Sequence, residues 1–391
     1  MEIKEKIQTV TLGGTQSGLR DQNARLVLSM IRRHGALSGA EIARRSSLTA
    51  QTVSNIVRAL ESDGVLKREA AIKGKVGKPS TPVSLNPKGV HSLGLSIGRR
   101  SAELVLVDFT GRSLAQRAIA YSYPVIETVF AFLKESTKDI LAAHPQARST
   151  LAGIGVGRPF EIWSWLEVVD APERLMRAWQ DIDLGASIEQ AVGLSATLQN
   201  DATSACVAEH LLGRGHALSN FAYIFVGAFV GGGLVLDNKV VTGPNGNAAA
   251  FGAMRMPDGR GGTTQLLQVA SLHVLERALR DANVDIGRLR DARDDWSTYA
   301  QWVEPWLVQT SHQLAIASIN AATVVEVEAI LIDGAMPATV RADLVNRTRE
   351  HIRQYTLTGI AMPDIQEAVV GRNARSIGAA LLPIHSKYFL A

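Results

Sequence analysis

Residues 92–109 read SLGLSIGRRSAELVLVDF, two apolar runs separated by a short turn that contains Gly98. The runs at 92–97 and 102–109 have the length and the aliphatic content of buried β-strands. A second strand, glycine turn and strand follow at residues 221–236, and helical stretches lie between the two copies. This arrangement predicts an α/β body built from two similar lobes that face a cleft.

The composition restricts the class of protein. With 391 residues and 46% hydrophobic content, the chain can bury two or three cores. A single cysteine, Cys206, excludes a disulfide framework and a cysteine-cluster metal site, and it fits a reducing compartment. The charged N-terminus is followed by no apolar stretch, and the apolar run 221–236 contains four glycines. The sequence therefore predicts a cytoplasmic protein without a signal peptide or membrane span.

Charge is distributed unevenly along the chain. The net charge is +4, yet residues 1–90 carry 15 Lys/Arg against 7 Asp/Glu, whereas the remainder carries 26 against 30. A basic head on a slightly acidic body is typical of a protein whose head binds a polyanion.

The head has the spacing of a helix-turn-helix. Asp21 is the predicted cap of a first helix that ends near residue 34, and Ser38 with Glu41 forms a capping box for a second. Thr49 caps a third helix that runs to about residue 63. Residues 1–20, which precede these helices, are expected to form a flexible arm.

The third helix has one apolar and one polar face. At about 100° per residue, Gln51, Asn55 and Arg58 point away from its apolar side, as in a helix that reads the major groove. An ordinary solvated face is the alternative for the helix alone. Two strands, at 65–69 and 81–85, flank a basic glycine-containing tip and predict a wing that contacts DNA phosphates. The predicted DNA-binding residues are Thr49, Gln51, Thr52, Ser54, Asn55, Arg58, Lys75 and Lys78.

Residues 21–86 are thus predicted to form a winged helix-turn-helix domain. Residues 86–89 read Asn-Pro-Lys-Gly and resemble a hinge, and residues 90–391 form the two-lobe body with regions for effector binding and dimerisation.

With this head and the motifs that follow, the chain resembles the ROK family of repressors and sugar kinases, and the resemblance implies an actin-like ATPase fold. The resemblance covers residues 20–391, and another actin-like protein with such a head is the alternative. Besides the winged head, its motifs are Gly153-Ile154-Gly155 with Pro159, Trp179 followed by Leu184, Gln199-Asn200-Asp201-Ala202 leading into Ala208-Glu209, Gly231-Gly232-Gly233-Leu234-Val235 and Gly243-Pro244-Asn245-Gly246.

The resemblance also indicates which residues of the nucleotide site differ from those of family kinases. The phosphate hairpin that reads Asp-x-Gly-Gly-Thr in family kinases is Ser-Ile-Gly-Arg-Arg at 96–100, and Gly-Thr-Gly becomes Gly-Ala-Phe at 227–229. A phenyl ring at Phe229 is expected to fill space that phosphates would occupy. Asp333-Gly334 adds an acid where adenine would lie. Binding of Mg-ATP is therefore not expected.

The sugar side is partly retained. Asn200 and Asp201 match the family's sugar ligand and catalytic base, and a helix N-cap is the alternative role for Asp201. The resemblance places Arg158, Asn245 and Gly246 in the same effector site. The family's Glu-x-Gly-His contact is Ala-Phe-Gly-Ala at 250–253, and its zinc loop maps to cysteine-free residues 257–265, so no metal is expected.

Arginines near this site favour a phosphorylated or acidic ligand, with Arg99, Arg100 and Arg255 joining Arg158. Ion pairs between the lobes are the alternative.

These observations predict a sequence-specific repressor of carbohydrate-related genes that binds a sugar, a sugar phosphate or a related acidic metabolite. It is expected to need no cofactor, to have no enzymatic activity and to bind pseudo-palindromic DNA as a homodimer or dimer of dimers. An active sugar kinase with a DNA-binding head and a ligand-independent DNA-binding dimer are the alternatives.

Overall fold

The computed structural model describes residues 16–71, 81–164, 171–259, 261–290 and 294–390. The chain divides into two units. Met1–Val90 and Ile384–Ala391 form the first, and His91–Pro383 forms the second.

The first unit contains the predicted winged helix-turn-helix. Its elements are α1 (Gln16–His34), α2 (Gly39–Ser46), α3 (Ala50–Ser62), β1 (Leu66–Arg68) and β2 (Val83–Leu85). The strands β1 and β2 pair antiparallel, and Leu37 forms a bridge to Val83. The head predicted from residue spacing is therefore confirmed.

The predicted caps of α2 and α3 are present. The Ser38 hydroxyl accepts from the Glu41 amide at 3.3 Å, and the Glu41 carboxylate accepts from the Ser38 amide at 2.9 Å. Thr49 accepts from the Thr52 amide at 3.1 Å. Ser47 takes a left-handed conformation in the turn between the two helices, with φ 59°.

The predicted start of α1 at Asp21 is wrong, because the helix already begins at Gln16. Polar residues can extend a helix without giving a periodic signal, and Asp21 lies inside it. Of the expected arm, residues 16–20 are helical, and residues 1–15 lie outside the described residues.

The C-terminal residues belong to the head unit, which the sequence analysis did not predict. The Arg32 guanidinium lies 4.6 Å from the centre of the Phe389 ring, and the Ser29 hydroxyl accepts from the Leu390 amide at 3.0 Å. These contacts attach the end of the chain to α1.

The first lobe of the body contains a five-stranded sheet in the order β5-β4-β3-β6-β7. Its elements are β3 (His91–Ile97), β4 (Ser101–Asp108), β5 (Ser113–Ala120), α4 (Ile126–Ala143), β6 (Leu151–Arg158), α5 (Glu173–Asp181), α6 (Leu184–Val192) and β7 (Ala196–Asn200). The first three strands are antiparallel neighbours, and β6 and β7 add in parallel.

The second lobe repeats this plan in the order β10-β9-β8-β13-β14. Its elements are α7 (Asp201–Leu212), β8 (Phe221–Val226), β9 (Val230–Leu236), β10 (Lys239–Val240), β11 (Arg255–Pro257), β12 (Thr263–Gln265), α8 (Leu266–Ala270), α9 (Leu272–Asp281), α10 (Ala300–Val324), β13 (Ala329–Gly334), α11 (Ala338–Ile352), β14 (Asp364–Glu367) and α12 (Ala374–Tyr388). Both sheets thus share one strand order, which confirms the prediction of two similar lobes.

The α12 segment of the body packs tightly against its neighbours through glycines. A Cβ on Gly155 of β6 would lie 1.7 Å from the Ala379 carbonyl oxygen, and one on Gly378 would lie 1.7 Å from that of Ser204. Only glycine allows backbones to approach this closely. This packing places the first turn of α12 beside α7 and the cleft between the lobes.

Among the described helices, none combines the length and hydrophobicity needed to cross a membrane.

Candidate functional site

The first candidate surface is the polar face of α3. Gln51, Asn55 and Arg58 are exposed, whereas Val53 and Val57 are buried on the opposite side. Gln51 donates to the Asn55 side-chain oxygen at 3.2 Å, and Arg58 donates to the Ser54 hydroxyl at 3.0 Å. These bonds, each four residues apart, hold the polar side chains in a row along the helix.

The structure describes some of the other predicted DNA-binding residues but not all of them. The Thr49 and Thr52 hydroxyls share a hydrogen bond of 2.8 Å at the N-terminus of α3, so both take part in the cap. Lys75 and Lys78 lie outside the described residues, and their contact with DNA remains a prediction.

The second candidate site is a cleft of about 400 Å³ in the body, lined by residues of both lobes. Both polar side chains and aromatic rings line it. Its lining side chains include Arg99, Asn200, Asp201, Phe229, Asn247 and Arg375. A cleft of this volume falls within the usual range for small-molecule sites, about 300–1,000 Å³.

Asn200 and Asp201 lie where β7 meets α7. The Asn200 side-chain oxygen accepts from the amides of Ala202 and Thr203 at 2.9 and 3.1 Å, so Asn200 is the N-cap of α7. The alternative that Asp201 caps this helix is therefore wrong. The Asp201 carboxylate remains in the cleft because the preceding residue performs the capping.

Asp201 forms an ion pair with an arginine that the sequence analysis missed. Nη1 of Arg375, in the first turn of α12, lies 3.4 Å from Oδ2 of Asp201, and the two side chains are 16% and 13% exposed. Because the residues are 174 positions apart, only the packing of α12 beside α7 brings them together. Arg375 is not one of the four arginines named from the sequence, so this ion pair leaves both alternatives for those four open.

At each glycine hairpin, one backbone amide is hydrogen-bonded within the protein. The Gly98 amide donates to the Ser101 carbonyl at 2.8 Å, and the Val230 amide donates to the Ser271 hydroxyl at 2.8 Å. Ser96, which stands where family kinases have the acid, is only 3% exposed and does not line the cleft. Phosphate cradles instead direct such amides at the ligand.

Phe229 lies in the cleft beside a cation and an imidazole. The Arg99 guanidinium is 4.6 Å from the Phe229 ring centre, and the His273 ring centre is 4.8 Å from it on the α9 side. Burial lowers the pKa of His273 to about 4 and that of Arg99 to about 10. At neutral pH, His273 is therefore uncharged and Arg99 retains its charge.

Asp333 is fully buried and contributes to a network of hydrogen bonds. It accepts from the Tyr223 hydroxyl at 2.9 Å and from the Gly371 amide at 3.0 Å, and Nη1 of Arg341 lies 3.3 Å away. Arg341 also donates to Glu367 at 2.9 Å. Asp333, the acid expected in the adenine region, is thus hydrogen-bonded to and paired with groups of the protein itself.

The remaining predicted effector residues lie beside the cleft. Arg158, Asn245 and Gly246 line a neighbouring cavity of about 160 Å³, which shares Asn200 with the cleft. Arg100 instead donates to the Ser122 carbonyl, and Arg255 is an exposed residue of β11. The structure therefore brings Arg99 to the cleft and Arg158 to its side cavity, whereas Arg100 and Arg255 line neither.

Two further observations concern chemistry. In the described part of the chain, no group of three or more His, Cys, Asp or Glu side chains is placed to hold a metal ion. Ala250 and Ala253 line the cleft at the positions where family kinases have acid and histidine. Asn247, which also lines the cleft, accepts from the Asn200 side chain at 3.5 Å.

Sequence comparisons match both parts of the chain. The ROK family pattern matches residues 92–385, and the MarR family pattern matches residues 17–75. An uncharacterized protein, y4fQ of Sinorhizobium fredii, is 24% identical over 368 residues, which are 94% of this chain and 92% of that protein. The xylose repressor of Bacillus subtilis is 23% identical over 61% of this chain and 62% of its own length. A putative xylose repressor of Caldicellulosiruptor is 27% identical, with 62% and 60% covered.

Solved structures share the fold. A ROK family transcriptional regulator described as a homologue of E. coli MLC is 21% identical, covers 95% of this chain and 97% of its own, and has a TM-score of 0.69. A ROK family glucokinase from Streptomyces griseus, solved with glucose and AMPPNP, is 23% identical, covers 75% and 98%, and has a TM-score of 0.54. Since the ROK pattern spans well over half of the sequence and both lobes of the body, the chain belongs to the ROK family.

Proposed function

We propose that this protein is a sequence-specific DNA-binding repressor whose body binds a sugar or a sugar-derived effector. The observation that carries the proposal is the exposed row of Gln51, Asn55 and Arg58 on α3, next to a wing strand pair. Amide and guanidinium groups in such a row pair with base edges in the major groove. The relatives named xylose repressors support carbohydrate control, although the chain spans only about 60% of their length.

The effector site is the cleft together with its side cavity. Asn200 and Asp201 supply an acceptor-rich corner for hydroxyl groups, and Arg158, Asn245 and Gly246 border the adjoining space. A polyol hydroxyl that donates to Asp201 would replace part of the Arg375 interaction. Effector binding there lowers or raises the DNA affinity of the head by favouring one conformation of the protein.

The body is proposed to lack kinase activity. Phe229 and Arg99 occupy the part of the cleft next to the two hairpins, and the Gly98 and Val230 amides are already hydrogen-bonded within the protein. Asp201, the matching catalytic base, forms its ion pair with Arg375. A base held by a guanidinium is poorly placed to take a proton from a hydroxyl.

The expected assembly is a homodimer or a dimer of dimers on a pseudo-palindromic operator. A two-fold dimer would present two α3 helices to half-sites about 34 Å apart, or a multiple of that distance.

Effector control is tested by measuring DNA binding with and without sugars. Fluorescence anisotropy with a labelled fragment of the protein's own promoter region gives the affinity, and a panel of sugars and sugar acids is then added. Asp201→Asn is expected to weaken the response to the active compound by about 10–100-fold, because it removes a charged acceptor. DNA binding without effector should stay unchanged as long as the variant folds, because Asp201 belongs to the body and the predicted DNA-binding face to α3 of the head.

Asn200→Ala tests the N-cap of α7, and because Asn200 also lines the cleft, only its folding stability is compared. It removes the cap, so we expect it to lower the free energy of unfolding by about 1 kcal/mol. Asp201→Asn keeps the cap but removes the carboxylate that pairs with Arg375, so its free energy of unfolding is measured beside that of Asn200→Ala. A response that survives unchanged in Asp201→Asn would remove this corner from the effector site.

The absence of kinase activity is tested with a coupled ADP-release assay. With Mg-ATP and a panel of hexoses and pentoses, we expect turnover equal to that of the Asp201→Asn variant. Sugar-dependent ADP release that disappears in the variant would instead make the protein a sugar kinase with a DNA-binding head.

A further inference from the structure

Arg158 lies in the cavity beside the cleft, and no carboxylate is among the described residues that line this cavity. It has a volume of about 160 Å³, roughly ten times the 15 Å³ that one water needs. Among its described lining residues, Arg158 is the ionisable one, and the others are amides, apolar side chains and glycine. In the main cleft, by contrast, Arg375 is paired with Asp201.

Arg158 is held in place while one of its donors lacks an acceptor. It ends β6, opposite Asn200 in the ladder with β7, and its guanidinium lies 5.6 Å from the centre of the Trp163 ring. Nη1 is buried, and the described residues offer it no hydrogen-bond partner. Burial also lowers the pKa of Arg158, which reflects the cost of keeping this charge away from water. A ligand acceptor at this position would offset that cost.

The neighbouring amides suit the same kind of ligand. The Gln199 side-chain oxygen already accepts from the Asn200 amide at 2.8 Å, which orients the side chain and leaves its NH₂ group as a donor. Asn245, which also lines the cavity, supplies a second amide. One guanidinium fork and two amide donors match the oxygens of a carboxylate or a phosphate.

We propose that the side cavity binds an oxyanion that forms part of the effector, with Arg158 as its principal ligand. The effector is then a carbohydrate with a carboxylate or a phosphate ester. Its hydroxyls lie against Asn200 and Asp201, which border the adjoining cleft, and its acidic group reaches Arg158. This inference rests on the proposed effector site and specifies the chemical class that the site selects.

The test compares compounds that differ only in the acidic group. Isothermal titration calorimetry of the full chain with D-glucose, D-glucuronate, D-glucose 6-phosphate and inorganic phosphate separates a neutral sugar, a carboxylate, a phosphate ester and a free anion. We expect one of the two acidic sugars to bind at least 10-fold more tightly than glucose, with an affinity that falls as salt rises.

Variants then identify the residue responsible. Arg158→Met should lower the affinity for the acidic sugar by about 10–100-fold and leave that for glucose within about 2-fold, because it removes charged hydrogen bonds only. The affinity of Arg158→Lys for the acidic sugar should lie between those of the wild type and Arg158→Met. Lysine keeps the charge but lacks the planar guanidinium and its paired donors. Arg117→Met removes an exposed arginine of the same lobe and should change neither affinity.

Each other outcome overturns a defined part of the proposal. If glucose binds as tightly as both acids, or if Arg158→Met weakens all ligands equally, the oxyanion site is refuted while sugar control stands. Binding of inorganic phosphate that depends on Arg158, without any effect of the sugars on DNA binding, would support the anion site and refute the effector proposal. If Arg158→Met does not fold, two wild-type measurements decide whether the oxyanion site exists. These are the preference for an acidic sugar over glucose and the fall of that affinity as salt rises.

Discussion

Replacing Asn55 or Arg58 by alanine is expected to weaken operator binding by about 1–3 kcal/mol each, a loss of roughly 5–150-fold in affinity. Both side chains are exposed on α3, and each is held in its row by a hydrogen bond to a residue four positions earlier. A side chain that is already oriented loses little entropy when it pairs with a base, so its removal has a large effect. Anisotropy titrations with the operator and a scrambled site measure the change.

Arg33→Ala is the charge-matched control, because Arg33 is an exposed arginine of α1 in the same unit. It is expected to leave the discrimination between operator and scrambled DNA unchanged. Asn55→Ala and Arg58→Ala should instead reduce that discrimination. Wild-type affinity and wild-type discrimination in both variants would show that base reading lies elsewhere in the head.

Replacing Arg341 by methionine is expected to lower the free energy of unfolding by about 3–5 kcal/mol, because it leaves the buried Asp333 carboxylate without its cation. Asp333 is fully buried, and burial raises its pKa, whereas Arg341 lowers it. In the variant the pKa of Asp333 rises further. The loss is therefore largest above that pKa and shrinks as the pH falls through it, when Asp333 takes up a proton. Urea unfolding at two pH values measures both effects.

Arg347→Met provides the control on the same helix. Arg347 forms ion pairs with Glu304 at 2.7 Å and with Asp343 at 2.9 Å, but both carboxylates are about half exposed. Exposed pairs contribute little, so the expected loss is at most about 1 kcal/mol. Combining Arg341→Met with Asp333→Asn should recover much of the stability. An equal, small loss in Arg341→Met and Arg347→Met would mean that the buried charge is compensated by the remaining donors.

The head was predictable from sequence because its signals are local. Ser38 and Thr49 hydrogen-bond to amides three residues away, and the apolar and polar faces of α3 follow from helical periodicity. The start of α1 was predicted incorrectly at Asp21, since the residues before it carry no periodic signal. The attachment of Phe389 to Arg32 joins residues at opposite ends of the chain and leaves no mark in either segment.

The cleft was predictable only in part. The residue types at Asn200, Asp201 and Phe229 indicated which chemistry had been kept and which lost, and the structure places all three in one cleft. The partner of Asp201 was missed, because Arg375 stands in a helix of ordinary composition near the C-terminus. Arg158, Asn245 and Gly246 turned out to line a side cavity rather than the cleft itself.

By itself, the sequence determined most of the elements, the caps of α2 and α3 and the repeat of two lobes, because these depend on periodicity and on contacts within a few residues. Tertiary structure alone decided the charge pairing of the cleft. The close approach of α12 to β6 and α7, through Gly155 and Gly378, brings Arg375 to Asp201. The same folding leaves Arg158 beside amides and without a carboxylate among the described residues. Electrostatic interactions in a cleft depend on distances of a few ångströms between remote residues, and only the packed chain sets those distances.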